Sequence, residues 1–531
     1  MSNNFLLNIT PREYQNEILK KCIEKNCLVV LPTGIGKTLV ALMLVIERMK
    51  QFPLEKVLFL APTRPLAQQH LSYFKKHLPE LFAQIDIFTG QIPAEKRKKT
   101  WERADIIFST PQCIANDVKN KLYTLENVSL LIEDEAHRCV KNYSYTYVAK
   151  AYLSQAQNKR ILGLTASPGA DKKTIKTVCE NLSIEEVEIR TRESSDVKDY
   201  LQVLDFENIK VDFPEKFDEI RNILKTLYSK KVEELKSRHL LFGPANKVSV
   251  LEAQRRIMAQ ISSGNKNFNV LLGSSAAAQA IKLEHAIELI ETQTIHAFNT
   301  YIQEIKKQAD ENKSKAVKKL VAQPEFTILT EKLNQIIKNN EEHPKLIALK
   351  NLLLERYNKN PKLKVIVFCQ YRESIIKICK EVNSIPGIKA KIFVGQAKKS
   401  PTNMGLSQKE QQEIVREFSS GEFNVLCATS IGEEGLDIPE VNAVIFYEPV
   451  PSAIRKIQRA GRTARLMPGE LIMLITKNTR DESHYWAAHH KEKSMHKAID
   501  EIKNDLSNES LNVTDALNKN KSEDIKQKKL F

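Results

Sequence analysis

The sequence predicts an α/β protein: two parallel-sheet domains with a helical insert between them. Three observations carry this. Short apolar runs alternate with helix-length stretches over residues 56–168, and again over the second half of the chain. Between the two blocks, residues 206–330 lose strand-like runs and keep apolar residues at helical spacing. A Gly-Lys-Thr loop closes the first apolar run and opens the first long helical stretch. At 531 residues the chain is long enough for several domains, and 42% hydrophobic with 27% charged residues is an ordinary globular balance. The net charge of +16 points to a polyanionic partner. Eight scattered cysteines form no C-x-x-C pair, which argues against zinc and for reduced core thiols in a cytoplasmic setting. No apolar run has membrane-spanning length, and the amino terminus lacks a signal-peptide pattern.

The first domain is expected over 1–205. Thr10 and Pro11 mark a helix start, and Gln15 lies on that helix, where its amide could bond an adenine edge. Then comes CLVV, LPTGIGKT and a twelve-residue apolar stretch: strand, loop, helix. Gly34 and Gly36 let backbone N–H groups turn toward phosphate, together with Thr33 and Ile35, at a helix N-terminus that favours anions. Lys37 would reach the β- and γ-phosphates, and Thr38 would hold Mg²⁺. Leu31 stands where the general G-x-x-x-x-G-K-[ST] pattern has glycine. Strands are read at 57–63, 85–90, 105–111, 129–137 and 160–168, with polar motifs at their carboxyl ends, where such sheets bind ligands. Asp134 and Glu135 end the fourth of these. Asp134 is placed to complete a Mg²⁺ shell, and Glu135 to orient and deprotonate an attacking water.

The insert is expected over 206–330. Its segment 301–320 holds six lysines against three acids, so Lys313, Lys315, Lys318 and Lys319 are either a solvated face or a phosphate-tracking surface. The second sheet domain is expected over 331–490, with strands KVIVFCQY, KIFVGQ, NVLCATS, AVIFYEP and ELIMLIT. A helix start at 453–465 carries Gln458, Arg462 and Arg465; the two arginines, three apart, share a face and could stabilise charge on a transferring phosphoryl group. Residues 491–531 fade in pattern and read as a tail, disordered beyond a first helix.

Taken together, Gln15, LPTGIGKT, APTRPLAQQ, STPQ, DEAH, TAS, VIVFCQYRES, FVGQ, ATSIGEEGLDIP and QRAGRTAR resemble a superfamily 2 helicase motor over roughly residues 10–480. Leu31, the segment 131–152 and IKLEHAIELIETQ are similar to the branch of Hef and Fanconi-type fork-remodelling helicases. The resemblance implies two RecA-like domains that clamp ATP and Mg²⁺, with Arg462 and Arg465 as arginine fingers beside Gln458 and with Asp437 on the ribose. It implies single-strand contacts at Thr63, Arg64, Thr89, Gly90, Thr110, Gln370, Arg372, Gly395, Gln396 and Thr429. It assigns coupling between hydrolysis and movement to His137, Thr165 and Ser167. It makes the insert a thumb that grips branched DNA, and it implies 3′ to 5′ movement during replication-fork repair in the cytoplasm, on the nucleoid. Its kin include Dicer- and RIG-I-like motors, so a duplex-RNA translocase stands as an alternative, as does a DNA-clamping scaffold with little ATP turnover. No E-R-K-x-x-x-D nuclease signature occurs, so a separate nuclease is an expected partner. The final QKKLF is similar to the first part of a sliding-clamp-binding box.

Overall fold

The structure, a computed structural model, describes residues 5–527 except 170, 266, 397–404, 433–437, 453–458, 460–462 and 464–467; for 431 and 507–527 it gives the backbone alone. Seven strands form the first sheet: β1 (Cys27–Val30), β2 (Lys56–Leu60), β3 (Ile85–Phe88), β4 (Ile106–Ser109), β5 (Val128–Asp134), β6 (Ile161–Thr165) and β7 (Glu186–Ile189). They are all parallel, in the order β3-β4-β2-β5-β6-β1-β7. The helices α1 (Glu13–Glu24), α2 (Lys37–Gln51), α3 (Arg64–His77), α4 (Ala94–Arg103), α5 (Pro111–Lys119), α6 (Ser144–Gln155) and α7 (Lys172–Asn181) cover both faces. Strands buried on both faces need continuous apolar runs, and CLVV and VSLLIED are buried at every position.

The second sheet is also parallel, in the order β10-β11-β9-β12-β13-β8. Its members are β8 (Leu204–Val211), β9 (Val365–Phe368), β10 (Ala390–Phe393), β11 (Val425–Ala428), β12 (Ala443–Phe446) and β13 (Gly469–Thr476). Between β8 and β9 lie the insert helices α8 (Glu215–Ser237), α9 (Lys247–Ser262), α10 (Phe268–Thr292), α11 (Ile295–Asp310), α12 (Lys315–Val321) and α13 (Pro324–Lys338), then α14 (Pro344–Lys359) of the second sheet domain. That domain also has α15 (Arg372–Val382) and α16 (Gln408–Ser420), and it leads into α17 (Arg480–Gln527).

Four expectations need correction. The first helix begins at Glu13 behind Arg12, not at Thr10–Pro11. Residues 206–211 are not insert: LDFENIKV pairs with β13 along the edge of the second sheet, its mixed, mostly exposed side chains giving no continuous apolar run. The insert runs past 330, because Leu333 and Ile336 of α13 lie in its core. Residues 491–506 are not a loose tail. Met495, Ala498, Ile499 and Ile502 of α17 are buried in the core of the first domain, against α7 and β7. A helix leaving the second sheet therefore ends in the first domain.

The root of the insert is polar and closely bonded. Tyr371 Oη donates to Glu288 Oε1 (2.8 Å), Gln293 Nε2 donates to Glu448 Oε2 (3.3 Å), and Arg480 Nε lies 3.2 Å from Glu291 Oε2. Glu288, Glu291 and Gln293 all belong to IKLEHAIELIETQ, so that segment fixes the insert onto the second sheet. All eight cysteines are buried free thiols. Among the described residues, no helix is long and apolar enough to cross a membrane.

Candidate functional site

The loop after β1 sits at the first sheet's carboxyl edge, one strand in from the end strand β7. Leu31 is fully buried and its N–H donates to Thr165 O of β6 (3.1 Å), so the nonstandard leucine seals the loop against the neighbouring strand. Gly34 and Gly36 have φ of +87° and +86°, a region that side-chain-bearing residues rarely adopt. At Gly36 a Cβ would also strike the Gln15 amide. Thr33, Lys37 and Thr38 are half-buried and Ile35 is buried. Lys37 Nζ donates to the carbonyls of Leu31 (2.9 Å) and Pro32 (3.3 Å), which holds the ammonium across the loop.

Gln15 is buried, and its amide bridges the start of α1 and the loop. Oε1 accepts from Arg12 N (2.9 Å), and Nε2 donates to Ile35 O (3.2 Å), beside Tyr14 Oη on the same carbonyl. The structure thus gives Gln15 a bracing contact with the loop, which uses one of its two N–H donors and one acceptor position.

Asp134 ends β5 next to this loop. His70 Nε2, from α3, donates to Asp134 Oδ2 at 2.9 Å, and both residues are buried. Burial pushes the Asp134 carboxyl up, but the His70 ring and the Lys37 ammonium more than reverse this, so it stays ionised below its ordinary range. Glu133, one residue earlier, faces the core with neither oxygen bonded and is pushed by burial up to about 8. Adjacent acids thus differ in charge because their side chains leave opposite faces of one strand. Glu135 has φ +53° and ψ +47°, a left-handed conformation costly for a residue with a Cβ. The turn sets its carboxylate beside the following histidine, with Oε2 3.3 Å from His137 Nδ1.

From His137 a chain of contacts leaves the site. His137 Nδ1 lies 3.1 Å from Thr165 Oγ1. Thr165 Oγ1 donates to Ser167 O and accepts from Ser167 N, both at 3.0 Å, which leaves His137 as the donor to it. Ser167 Oγ donates to Met495 Sδ of α17 at 2.8 Å. Neither His70 nor Met495 was among the residues expected from the sequence. His70 lies in the APTRPLAQQH stretch without distinguishing signal, and Met495 lies in the segment taken for a tail.

The metal expected here fits its donors. Among the described residues no three His, Cys, Asp or Glu side chains gather as a self-sufficient metal cage. One ionised carboxylate, Asp134, and one half-buried hydroxyl, Thr38, are what Mg²⁺ requires when phosphates and water complete the shell.

The other candidates lie apart from this group. Thr63, Thr89 and Thr110 follow β2, β3 and β4, the three strands at one end of the first sheet. Arg64 opens α3 and donates to Gln91, Gly90 is exposed, and Thr110 caps α5. The second sheet repeats the arrangement: Gln370 and Arg372 follow β9, Gly395 and Gln396 follow β10, and Thr429 follows β11, again three adjacent end strands. Arg372 Nη2 donates to Gly395 O (2.7 Å), which ties two of these loops together. In the insert, Lys313, Lys315, Lys318 and Lys319 are exposed; Lys313 pairs with Glu311 (2.6 Å) and Lys318 donates to Asn312 (2.9 Å). Asp437, Gln458, Arg462 and Arg465 lie outside the described residues, as does QKKLF beyond the backbone of Gln527. Between the arginines' neighbours, Arg459 is fully buried with its guanidinium over Phe368 (4.9 Å).

Comparison with known proteins agrees with this layout. Residues 12–175 match a family model for DEAD/DEAH box helicases, and residues 344–467 match one for the helicase conserved C-terminal domain. Residues 216–343 match a helical-bundle model provisionally named for ATP-dependent RNA helicases. The crystal structure of the Pyrococcus furiosus Hef helicase domain aligns with a TM-score of 0.69 and 44% identity, covering 90% of this chain and 98% of that one. A Methanocaldococcus jannaschii protein provisionally named an ATP-dependent RNA helicase is 36% identical over 495 residues, 92% of this chain and 61% of that protein. The ATP-dependent DNA helicase mph1 of Neurospora crassa is 33% identical over 493 residues, 90% of this chain and 42% of that protein. The chain therefore spans about half the length of these two relatives.

Proposed function

The chain belongs to the family of Hef helicase domains, and from that premise we propose that it is an ATP-driven DNA helicase that steps along single strands and acts on branched DNA. The observation that carries the proposal is the division of the first sheet's carboxyl edge. In the first sheet, β5, β6 and β1 present Asp134, Thr165 and the glycine loop, whereas β2, β3 and β4 present the small polar residues suited to a phosphate backbone. One rigid sheet thus offers an ATP side and a strand side.

In this reading, the loop N–H groups and Lys37 bind the β- and γ-phosphates, with Thr33, Gly34, Ile35 and Gly36 shaping the cradle and Gln15 bracing it. Thr38 and Asp134 hold Mg²⁺, which when bound draws charge from the β- and γ-phosphate oxygens. Glu135 takes the proton of the attacking water. Arg462 and Arg465, with Gln458, complete the site from the second domain, and Asp437 meets the ribose. Thr63, Arg64, Thr89, Gly90, Thr110, Gln370, Arg372, Gly395, Gln396 and Thr429 contact the strand's phosphates, which carry no sequence information. His137, Thr165 and Ser167 transmit closure. Movement is 3′ to 5′, by resemblance.

The test is ATP hydrolysis measured in parallel with forked DNA, single-stranded DNA and duplex RNA, at one salt concentration. Stimulation by both DNAs and faster unwinding of the forked substrate are expected. Stimulation by duplex RNA alone would transfer the chain to RNA work, in line with the name of the Methanocaldococcus relative. No stimulation by any of them would leave only a clamp.

A further inference from the structure

We infer that the tip of the α9–α10 hairpin is a base-stacking surface that contacts the unpaired base at a DNA branch; the inference rests on the helicase reading above. The tip is apolar where a solvated helix end should be polar. Phe268 is 76% exposed, Met258 49% and Leu271 47%. They form one patch. Phe268 and Leu271 are three apart on α10, on the same face. Ser274 Oγ, one turn further on, contacts Met258 Sδ of α9 at 3.9 Å. The patch is held rigidly. Asn269, next to Phe268, accepts from Arg238 Nη1 (3.1 Å) and donates to Arg238 O (3.3 Å), which locks the start of α10 to the end of α8. Gly273 leaves room for Leu240, whose side chain occupies the space a Cβ would take.

Charge identifies the occupant. From Ala253 to Leu283 the chain has no acidic residue, although acids make up 65 of its 531 residues. Arg255 and Arg256, on α9 one turn before Met258, are exposed and in no ion pair among the described residues. A protein partner seated on Phe268 would meet two arginines in no ion pair, while the acids beside them are Glu252, one turn before the arginines, and Glu234 of α8, itself paired with Arg238 (3.3 Å). A nucleic acid meets both features at once: phosphates for the arginines, and a base face for the ring. Stacking on an aromatic ring tolerates any base and is worth about 1–3 kcal/mol. Paired bases inside a duplex offer no free face, so the patch selects the position where a strand departs from its partner. The long axis of α10 carries this tip away from the second sheet, since its other end holds Glu288 and Glu291 at the root. At 1.5 Å per residue, Phe268 stands about 30 Å from Glu288.

The experiment uses the whole chain and a forked DNA carrying 2-aminopurine at the first unpaired position. Binding of the wild-type protein should change its fluorescence. Phe268→Ala should abolish that change and weaken fork binding by about 5- to 150-fold, the range that one lost stack implies. Phe268→Trp should retain both. Arg255→Glu with Arg256→Glu should lower the slope of log affinity against log salt by about two. ATP hydrolysis stimulated by saturating single strands should be the same in all variants, because no residue of the ATP side lies near. Fork binding by Phe268→Ala that equals wild type overturns the inference, as does an equal loss on unbranched single strands. Absence of DNA-stimulated hydrolysis in the wild type would instead sink the helicase reading itself, so the two failures are separable.

Discussion

His343 should make the junction between the insert and the second sheet sensitive to acid. The residue is fully buried, with its ring near those of Phe213 and Phe217. Its two nitrogens are used in opposite senses. Nε2 faces Glu291 O (3.3 Å) and must donate; Nδ1 accepts from Lys345 N (3.3 Å) as the N-cap of α14. A second proton would sit on Nδ1, against that N–H and near the Lys345 ammonium. Burial, and then Lys345, hold its pKa well below the ordinary value. In the unfolded chain the ring protonates near pH 6.5, about the reference value, so below that pH the unfolded state holds the extra proton. Stability is then fully present above about pH 6.5 and falls as the pH drops. The limiting loss is about 1.4 kcal/mol per pH unit, a factor of about ten in the folded population. His343→Asn keeps an N-cap acceptor and removes the titration. Urea unfolding followed by circular dichroism at pH 7.5 and 5.5 gives the comparison. The wild type should lose about 1.4 kcal/mol more than the variant over that interval. The same pH slope in both proteins would refute the argument, whatever the constant cost of the substitution.

Three further outcomes are expected. Glu135→Gln should bind ATP normally and hydrolyse it on the order of 10²-fold or more slowly, while Lys37→Ala should lose both, by nucleotide binding and phosphate release; wild-type turnover in Glu135→Gln would remove the base from Glu135. Gln15→Ala leaves the Ile35 carbonyl to Tyr14 alone, frees the Arg12 N–H and should raise KM for ATP by about tenfold with kcat little changed, the scale of one or two lost hydrogen bonds; an unchanged KM would mean the brace does not hold the loop. Replacing Lys313, Lys315, Lys318 and Lys319 with Glu should weaken forked-DNA binding more than single-strand binding and flatten its salt dependence, measured by titration; no loss on either would make these lysines a solvated face.

The parts of the fold legible in the sequence were those whose physics is local. A strand buried on both faces must be apolar throughout, so CLVV and VIVF announce themselves, and a loop with two positive-φ glycines before Lys-Thr has few other uses. What stayed hidden depends on partners far away in the chain. LDFENIKV is a strand because β13, more than 250 residues later, offers an edge; its apolar residues are broken up by polar ones, and most of its side chains face solvent. EVEI of β7 lacks the apolar length of a central strand for another reason: at the other sheet's edge its two glutamates are buried in ion pairs with Lys25 and Arg190. His70 on Asp134 is a tertiary contact, and a lone histidine on a helix carries no pattern. Glu288, Glu291 and Gln293 were legible as a family segment, but only the structure shows them as the insert's root rather than its DNA surface.

The helix α17 follows the same rule, with a mechanical consequence. Its first turn is clamped to the second sheet: Lys345 Nζ donates to Asp481 Oδ2 at 2.7 Å, both side chains fully buried, and the same carboxylate accepts from Thr476 N (3.0 Å) at the end of β13. Breaking such a buried pair costs about 3–5 kcal/mol, so this end does not slip. Fourteen residues on, Met495 lies against Ser167, about 21 Å away along a continuous helix. A helix of that length acts as a rod. The chain thus joins its sheets twice, once through residues 190–203 and once through a rod that passes the serine continuing the His137–Thr165 contacts. In the proposed helicase cycle, two separated connections would resist the sheets drawing apart and favour rotation. Any rotation of the second sheet must then press or release Met495 at Ser167, three contacts from Glu135. The ATP side of the first sheet is in this way touched by the position of the second, through residues that lie in the first domain's own core.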